Sequence, residues 1–266
     1  MCIISGPVNS VSATKIFAMP SRSGSRQLTV YSNTVNTPAD NMMCLPVPYP
    51  ETVMFERVPA DLFTQCERSF TGGYPRGAPT LSVSRSVELE VRSHGSYDVV
   101  LIPSVDDTVR VPRHFATLTP EVVEFMRREY GGRPFGFLLC CLKAGASDYE
   151  PFAYSHATDG ANLFLPTMHF HTHPPPSFQS WERPWRSPNI DSDIDWDHEI
   201  YTVRTSHSAH RSLTRIPRSQ NEINWSQMPD EFAIGSKHQL RCWEITGGAE
   251  PNRDIILPLA SVQTSY

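Results

Sequence analysis

Apolar and polar positions alternate along much of the chain with the period of two that is typical of β-strands. The clearest example is the segment 26–32, and the Ser- and Gly-containing segment 21–25 before it predicts a hairpin loop from an earlier strand at 14–19. A near-continuous apolar run at 135–142 has the length and the flanking Gly and Pro residues of a buried strand. These patterns favour a chain organised around β-sheet.

Further strands are predicted at short intervals over the rest of the sequence. They lie at residues 2–5, 87–91, 97–103, 163–173, 198–204, 240–245 and 255–259. The segment 43–48 contains two prolines, and proline cannot donate a ladder hydrogen bond. We therefore expect that segment to form at best an edge strand or an extended stretch.

Two segments carry the spacing of helices instead. Residues 59–70 place Leu62, Phe63 and Cys66 at helical intervals, and residues 119–130 begin with Thr119 at a natural N-cap position followed by proline. Together with the strands, these segments predict an α+β fold. We expect one domain over residues 1–266, with a mainly antiparallel β-sheet and two principal helices.

Composition supports this prediction and adds one long irregular tract. The 266 residues include 24 prolines, which exceed the 14 glycines and exclude a helical bundle or coiled coil. Residues 174–197 are rich in Pro, Trp and Asp and predict a long loop rather than a linker between domains. Long loops of this kind often have a function. One hypothesis is therefore a non-enzymatic protein that docks onto a protein partner, or onto a second copy of itself, through 174–197.

Net charge and cysteine spacing limit the possible partners and cellular location of the protein. The net charge of −5 argues against a protein whose main function is to bind nucleic acid. No apolar run approaches the length of a membrane span. The six cysteines form no CxxC pair, and residues 1–6 lack the basic and apolar regions of a signal peptide. We expect reduced thiols, a cytoplasmic location, and neither a membrane nor a nucleic-acid partner.

The sharpest chemical signal is the pair of histidines at positions 169 and 171. In the predicted strand, His169 and His171 share one face, at a separation that lets two imidazoles approach one metal ion with bonds of about 2 Å. His173 lies on the same face but precedes three prolines, so we expect it to have left the strand. The pattern predicts a site for a divalent transition metal, zinc or iron among the candidates, with nickel and copper also suited to imidazole.

A metal site needs at least one more protein ligand. The segment 193–198 offers His198 as a third ligand, with Asp197 as a carboxylate that orients an imidazole and Asp195 as a direct oxygen ligand. The alternative is that these histidines are ordinary surface side chains that hydrogen-bond to nearby acidic residues. The sequence alone leaves both interpretations open.

The second chemical signal is Cys2. Removal of the initiator methionine would leave Cys2 with a free amine that could act as the base for its own thiol. N-terminal-nucleophile amidohydrolases use this arrangement, so Cys2 is a candidate catalytic nucleophile acting on an amide. The alternative is a small buried residue at the start of a strand.

Several segments together resemble a family of bacterial hypothetical proteins. The similarity is carried by the motifs VSATKIFA at 11–18, RQLTVYS at 26–32, LPVP at 45–48, FLPTMHFH at 164–171 and DHEIY at 197–201. It covers roughly residues 1–205. Because this family has no established activity, the resemblance implies a single cytosolic unit and no particular chemistry.

Overall fold

Two stacked β-sheets with a helix on each outer face make up the centre of the molecule. The computed structural model describes residues 3–71, 92–94, 97–112, 115, 118–172, 198–203, 213–215, 223–233, 240–245 and 252–259. The strands in these ranges are β1 (Ile3–Pro7), β2 (Ser10–Pro20), β3 (Arg26–Thr37), β4 (Asn41–Pro48), β5 (Met54–Phe55), β6 (Arg92–His94), β7 (Tyr97–Ile102), β8 (Phe135–Leu142), β9 (Gly145–Asp148), β10 (Phe152–Ala157), β11 (Asn162–Leu165), β12 (Phe170–Thr172), β13 (His198–Val203), β14 (Leu213–Arg215), β15 (Leu240–Ile245) and β16 (Ile255–Pro258).

The strands form two large sheets and one small one. Sheet 1 has the order β12-β1-β4-β8-β7-β6, and sheet 2 has the order β14-β15-β13-β2-β3-β10-β5, with β9 also paired to β3. Strands β11 and β16 form a separate two-stranded sheet. Only the pairs β1–β12 and β2–β13 are parallel among the described pairings, so the prediction of a mainly antiparallel α+β fold is confirmed.

Both predicted helices are present. Helix α1 spans Leu62–Thr71, three residues later than the predicted start, and helix α2 spans Pro120–Tyr130. The side chain of Thr119 caps α2 by accepting a hydrogen bond from the backbone N–H of Val122, as its position before proline predicts. Short 3₁₀ helices at Pro50–Thr52, Val105–Arg110 and Trp225–Gln227 complete the described helical segments.

Three groups of buried side chains hold the layers together. The inter-sheet cluster includes Ile4, Leu45 and Leu138 from sheet 1 and Tyr31 and Ile200 from sheet 2. A second cluster packs α1 and residues 223–232 against the outer face of sheet 2. A third packs α2 against the outer face of sheet 1. The strand pleat explains this layering, because successive side chains of each strand enter opposite clusters.

The structure corrects the prediction for residues 43–48. Strand β4 is an interior strand of sheet 1, between β1 and β8. Its described pairing with β1 involves Met43 and Cys44, whereas Pro46 and Pro48 pair with Phe137 and Phe135 of β8. Among the described residues, β1 has no ladder partner for the two prolines, and a missing N–H is tolerated on such a side of a strand.

The predicted continuous strand at 163–173 is also wrong. Residues 166–169 separate β11 in the small sheet from β12 at the edge of sheet 1. Pro166 begins the interruption, and proline lacks the N–H that a continuing ladder would need. His169 therefore lies just before β12, and only His171 of the predicted histidine pair is a strand residue. The predicted strand at 87–91 lies outside the described residues.

Close packing around Gly136 gives a test of the contact between β8 and its neighbours. A Cβ atom at Gly136 would lie 2.5 Å from the carbonyl oxygen of Ile102 and 2.5 Å from the Cβ of Pro50. We expect Gly136→Ala to lower the free energy of unfolding by about 2 kcal/mol, because backbone atoms must move to relieve the overlap. Urea denaturation measures the change.

A control for this variant is Val109→Ala, at a side chain that is 88% exposed. We expect its effect to remain within about 0.5 kcal/mol. Wild-type stability in Gly136→Ala would contradict the close approach of β8 to Ile102 and Pro50.

Candidate functional site

The two histidines of the predicted metal site lie next to each other at β12, the last strand in the described order of sheet 1. Their ring centroids are 5.9 Å apart, and the ring planes are inclined by 42°. His169 is 3% exposed and His171 is half-buried. The structure therefore brings this pair together, although residue 169 is not in a strand.

Phe170 fixes the side of the sheet on which His171 lies. Its ring packs 4.6 Å, centroid to centroid, from that of Phe125 in α2. Because His171 alternates with Phe170 in β12, its side chain is directed to the side of the sheet away from α2.

The side-chain amide of Asn252, a residue distant in the sequence, makes two hydrogen bonds with the main chain of His169. The N–H of His169 donates to Oδ1 of Asn252 at 2.9 Å, and Nδ2 of Asn252 donates to the carbonyl oxygen of His169 at 2.9 Å. This two-bond arrangement imitates a neighbouring strand at the point where the sheet ends. Burial has the largest influence on the pKa of the His169 ring and lowers it, whereas the Asn252 side chain raises it.

The residues that follow Asn252 anchor the same segment. Asp254 accepts hydrogen bonds from the N–H of Met168 at 2.9 Å and from the hydroxyl of Tyr130, at the end of α2, at 2.7 Å. The carbonyl oxygen of Arg253 accepts from the hydroxyl of Thr167 at 2.8 Å. We call residues 252–254 the clasp, because they hold residues 167–169 from outside the sheet.

Burial sets the electrostatics of the site. It lowers the pKa of His169 to about 4, so the ring is neutral at pH 7 and keeps a lone pair for a ligand. Burial also raises the pKa of Asp254 to about 6, even though the bonds from Met168 and Tyr130 favour the carboxylate. The pKa of Tyr130 is raised, first by burial and then by the charge of Asp254, so its hydroxyl remains a donor.

The structure describes the other predicted ligands only in part. His198 is the first residue of β13 in sheet 2, where its backbone pairs with Thr14 of β2 and Ile245 of β15, but its side chain is outside the described part of the structure. Asp195 and Asp197 lie outside the described residues altogether. Within the described ranges, no group of three or more His, Cys, Asp or Glu side chains is arranged to hold a metal ion.

The two remaining sequence hypotheses also fall on residues that the structure does not describe. Cys2 directly precedes the first described residue, and the tract 174–197 lies wholly outside the described ranges. The clasp, in contrast, was missed by sequence reasoning. Asn252 and Asp254 lie in a short polar stretch that resembles many surface turns, and no local spacing connects them with His169.

Comparisons with known proteins give no functional assignment. No model of a known protein family and no curated protein sequence matches the chain. Among solved structures, the chain is similar to a mutated baculovirus P35 after caspase cleavage, with a TM-score of 0.41 and 12% identity, covering 94% of this chain and 100% of that one. A likeness this weak supports no conclusion about fold or function.

Neither the predicted cellular location nor the predicted family relationship is fully tested. None of the described helices is long and apolar enough to cross a membrane. The resemblance to a bacterial family stays a prediction, because no family match tests it.

Proposed function

We propose that this protein binds a divalent transition metal through the imidazoles of His169 and His171. The observation that carries the proposal is the separation of 5.9 Å between the centres of the two rings. Both rings lie at β12, the last strand in the described order of sheet 1, and His169 is almost fully buried. Zinc, iron, nickel and copper all accept imidazole ligands, and affinity order alone does not choose among them.

The distance between the rings fits a shared metal ion. A metal–nitrogen bond is about 2.0–2.1 Å, which places the centre of each ligating ring about 3.2 Å from the metal. Two such rings at the angles of a roughly tetrahedral site have centres about 5–6 Å apart. The observed separation of 5.9 Å lies in this interval.

A third ligand has to come from another part of the chain, and we propose His198. Ile200, two residues later in β13, belongs to the inter-sheet cluster, and Ile4 on β1, next to β12, belongs to the same cluster. The pairing of Ile200 with Ile16 of β2 fixes the register of the β13 backbone, of which His198 is the first residue. Asp197 and Asp195 are the candidates for a supporting carboxylate.

Three protein ligands would leave one coordination position for water or another small molecule. No described side chain near the pair is placed as a general base for such a water. The proposal is therefore a metal-binding function, without a reaction. The docking function of residues 174–197 and the amidohydrolase function of Cys2 remain predictions from the sequence, since no described contact favours either.

Metal titration of the full chain, purified without a histidine tag, tests the proposal. We expect Co²⁺ and Zn²⁺ to bind with a stoichiometry near one, and His169→Ala and His171→Ala each to lower the affinity at least tenfold, because each removes a bond to the metal. His156→Asn replaces a buried histidine of β10 and should leave the affinity unchanged. Absence of binding to the wild-type chain, or equal affinity in all variants, would overturn the site.

The third ligand is tested separately with His198→Ala. Loss of affinity comparable to that in His169→Ala supports His198 as a ligand. Unchanged affinity in His198→Ala, with loss in the other two variants, would exclude this residue and retain the pair.

A further inference from the structure

We propose that Asn252 is a positioning residue for the metal site, which holds the main chain and the ring of His169 in the orientation that the metal requires. This inference rests on the proposed function, because it concerns the same histidine pair. Asn252 itself is not a ligand in the proposal. Its contribution is made through His169.

The first part of the argument concerns the main chain. His169 precedes β12 and so has no strand ladder to fix its backbone. The two bonds of 2.9 Å to Asn252 replace that ladder at this residue. Without them, residue 169 could rotate relative to His171, which is held in β12, and the 5.9 Å separation of the rings would no longer be maintained.

The second part concerns the ring. Metal-bound histidines almost always use their second ring nitrogen to donate a hydrogen bond to a carbonyl or carboxylate oxygen, which fixes the tautomer and the plane of the ring. Asn252 carries such a carbonyl oxygen next to His169, 2.9 Å from its main-chain nitrogen. In the proposal this oxygen also accepts from one ring nitrogen of the metal-bound His169 and leaves the other nitrogen for the metal.

The third part concerns rigidity. A positioning residue is effective only if it is itself held in place. The clasp is fixed at two further points, by the bonds of Asp254 to Tyr130 and Met168 and by the bond of the Arg253 carbonyl to Thr167. These bonds fix Asn252 relative to α2, and Asn252 in turn fixes His169.

The protein contains a matched control for this arrangement. Gln27 of β3 makes the same two-bond contact with Phe164, donating to its carbonyl oxygen at 2.6 Å and accepting from its N–H at 2.8 Å. Gln27 contributes to stability in the same way but belongs to no proposed metal site. A purely structural role for Asn252 should therefore give the same result as Gln27.

The experiment compares Co²⁺ affinity and thermal stability in Asn252→Ala, Asn252→Asp and Gln27→Ala. We expect Asn252→Ala to weaken Co²⁺ binding about 10- to 100-fold, the usual loss when the partner of a metal-bound histidine is removed. Gln27→Ala should lower the melting temperature by a comparable amount and leave the affinity within about threefold. Asn252→Asp retains the oxygen that accepts from the main-chain N–H of His169 but loses the donor to its carbonyl oxygen, so its affinity should lie between those of the wild type and Asn252→Ala.

The outcomes separate this inference from the function on which it rests. If wild-type protein binds no Co²⁺, the metal site itself fails. If wild-type protein binds and His169→Ala does not, but Asn252→Ala keeps wild-type affinity, the positioning role alone is overturned. Equal loss of affinity in Asn252→Ala and Gln27→Ala would also overturn it, since the effect would then reflect general stability.

Discussion

Acidification from pH 7 to pH 4 is expected to lower the free energy of unfolding of the wild-type protein by about 3 kcal/mol more than that of His156→Asn. His156 of β10 is 1% exposed, and burial lowers its pKa from 6.5 to about 4. In the folded protein its Nδ1 atom donates to the carbonyl oxygen of Ala157 at 2.7 Å. The folded state thus favours the neutral ring.

The direction of the effect follows from this depressed pKa. The unfolded chain takes up a proton at position 156 as the pH falls below 6.5, whereas the folded chain resists protonation until about pH 4. The stability contributed by the neutral ring is therefore complete above pH 6.5 and is lost as the pH falls towards 4. Asparagine does not titrate, so the variant lacks this loss.

Urea denaturation at a series of pH values, followed by tryptophan fluorescence, measures the difference. The two proteins are compared by the change in their free energy of unfolding with pH, because the substitution also changes the stability at pH 7. All other titrating groups contribute equally to both proteins. Parallel pH profiles for wild type and His156→Asn would show that burial of this ring has no energetic consequence.

Asp254→Asn is expected to produce the opposite pH dependence. Burial raises the pKa of Asp254 from 3.8 to about 6, so the folded state binds a proton more readily than the unfolded state. This group stabilises the wild-type protein most below pH 3.8, and the contribution is lost as the pH rises through 6. Between pH 4 and pH 8, the wild-type protein should lose about 2 kcal/mol relative to Asp254→Asn.

The asparagine variant is chosen because its carbonyl oxygen can still accept from the N–H of Met168. Tyr130 donates to the Asp254 carboxyl, and Glu129 and Arg133 act on the same tyrosine with opposite effects on its pKa. Tyr130→Phe serves as the second variant, since loss of its hydrogen bond should raise the pKa of Asp254 further and move the transition to higher pH. A pH profile that is unchanged in both variants would contradict a buried carboxyl at this position.

These two groups were not candidates in the sequence, and the reason is physical. A histidine in an alternating strand, such as His156, is indistinguishable by pattern from one that faces solvent. Its pKa depends on which neighbours exclude water, and these come from strands far apart in the chain. The same is true of Asp254, whose donor Tyr130 is separated from it by 124 positions.

Local interactions explain what could be predicted. The cap of α2 depends on Thr119 and the residue after it, and the hairpin between β2 and β3 depends on the short polar segment 21–25 and on alternation in the two strands. Such features are determined by residues close in sequence, so the pattern is sufficient to predict them. The α+β class followed from these elements together.

Strand order and strand continuity depended on contacts between distant residues. The prolines of β4 suggested an edge strand, but the described residues of β1 pair with the part of β4 that precedes the prolines, and this places β4 inside sheet 1. The predicted strand at 163–173 is divided because its first part pairs with β16 and its last part with β1. A local sequence pattern does not determine which other strand a segment will pair with.

The sequence by itself determined that this protein is a β-rich α+β chain with two helices, and that His169 and His171 are close enough to act as a pair. The first conclusion rests on the local geometry of strands and helices, and the second rests on the spacing of two residues, which keeps the histidines near each other even outside a strand. Only the tertiary structure placed His169 outside the strand and fixed its backbone with Asn252, 83 positions later in the chain. It also decided the pKa of His169, because that value depends on burial by the assembled sheets rather than on neighbours in the sequence.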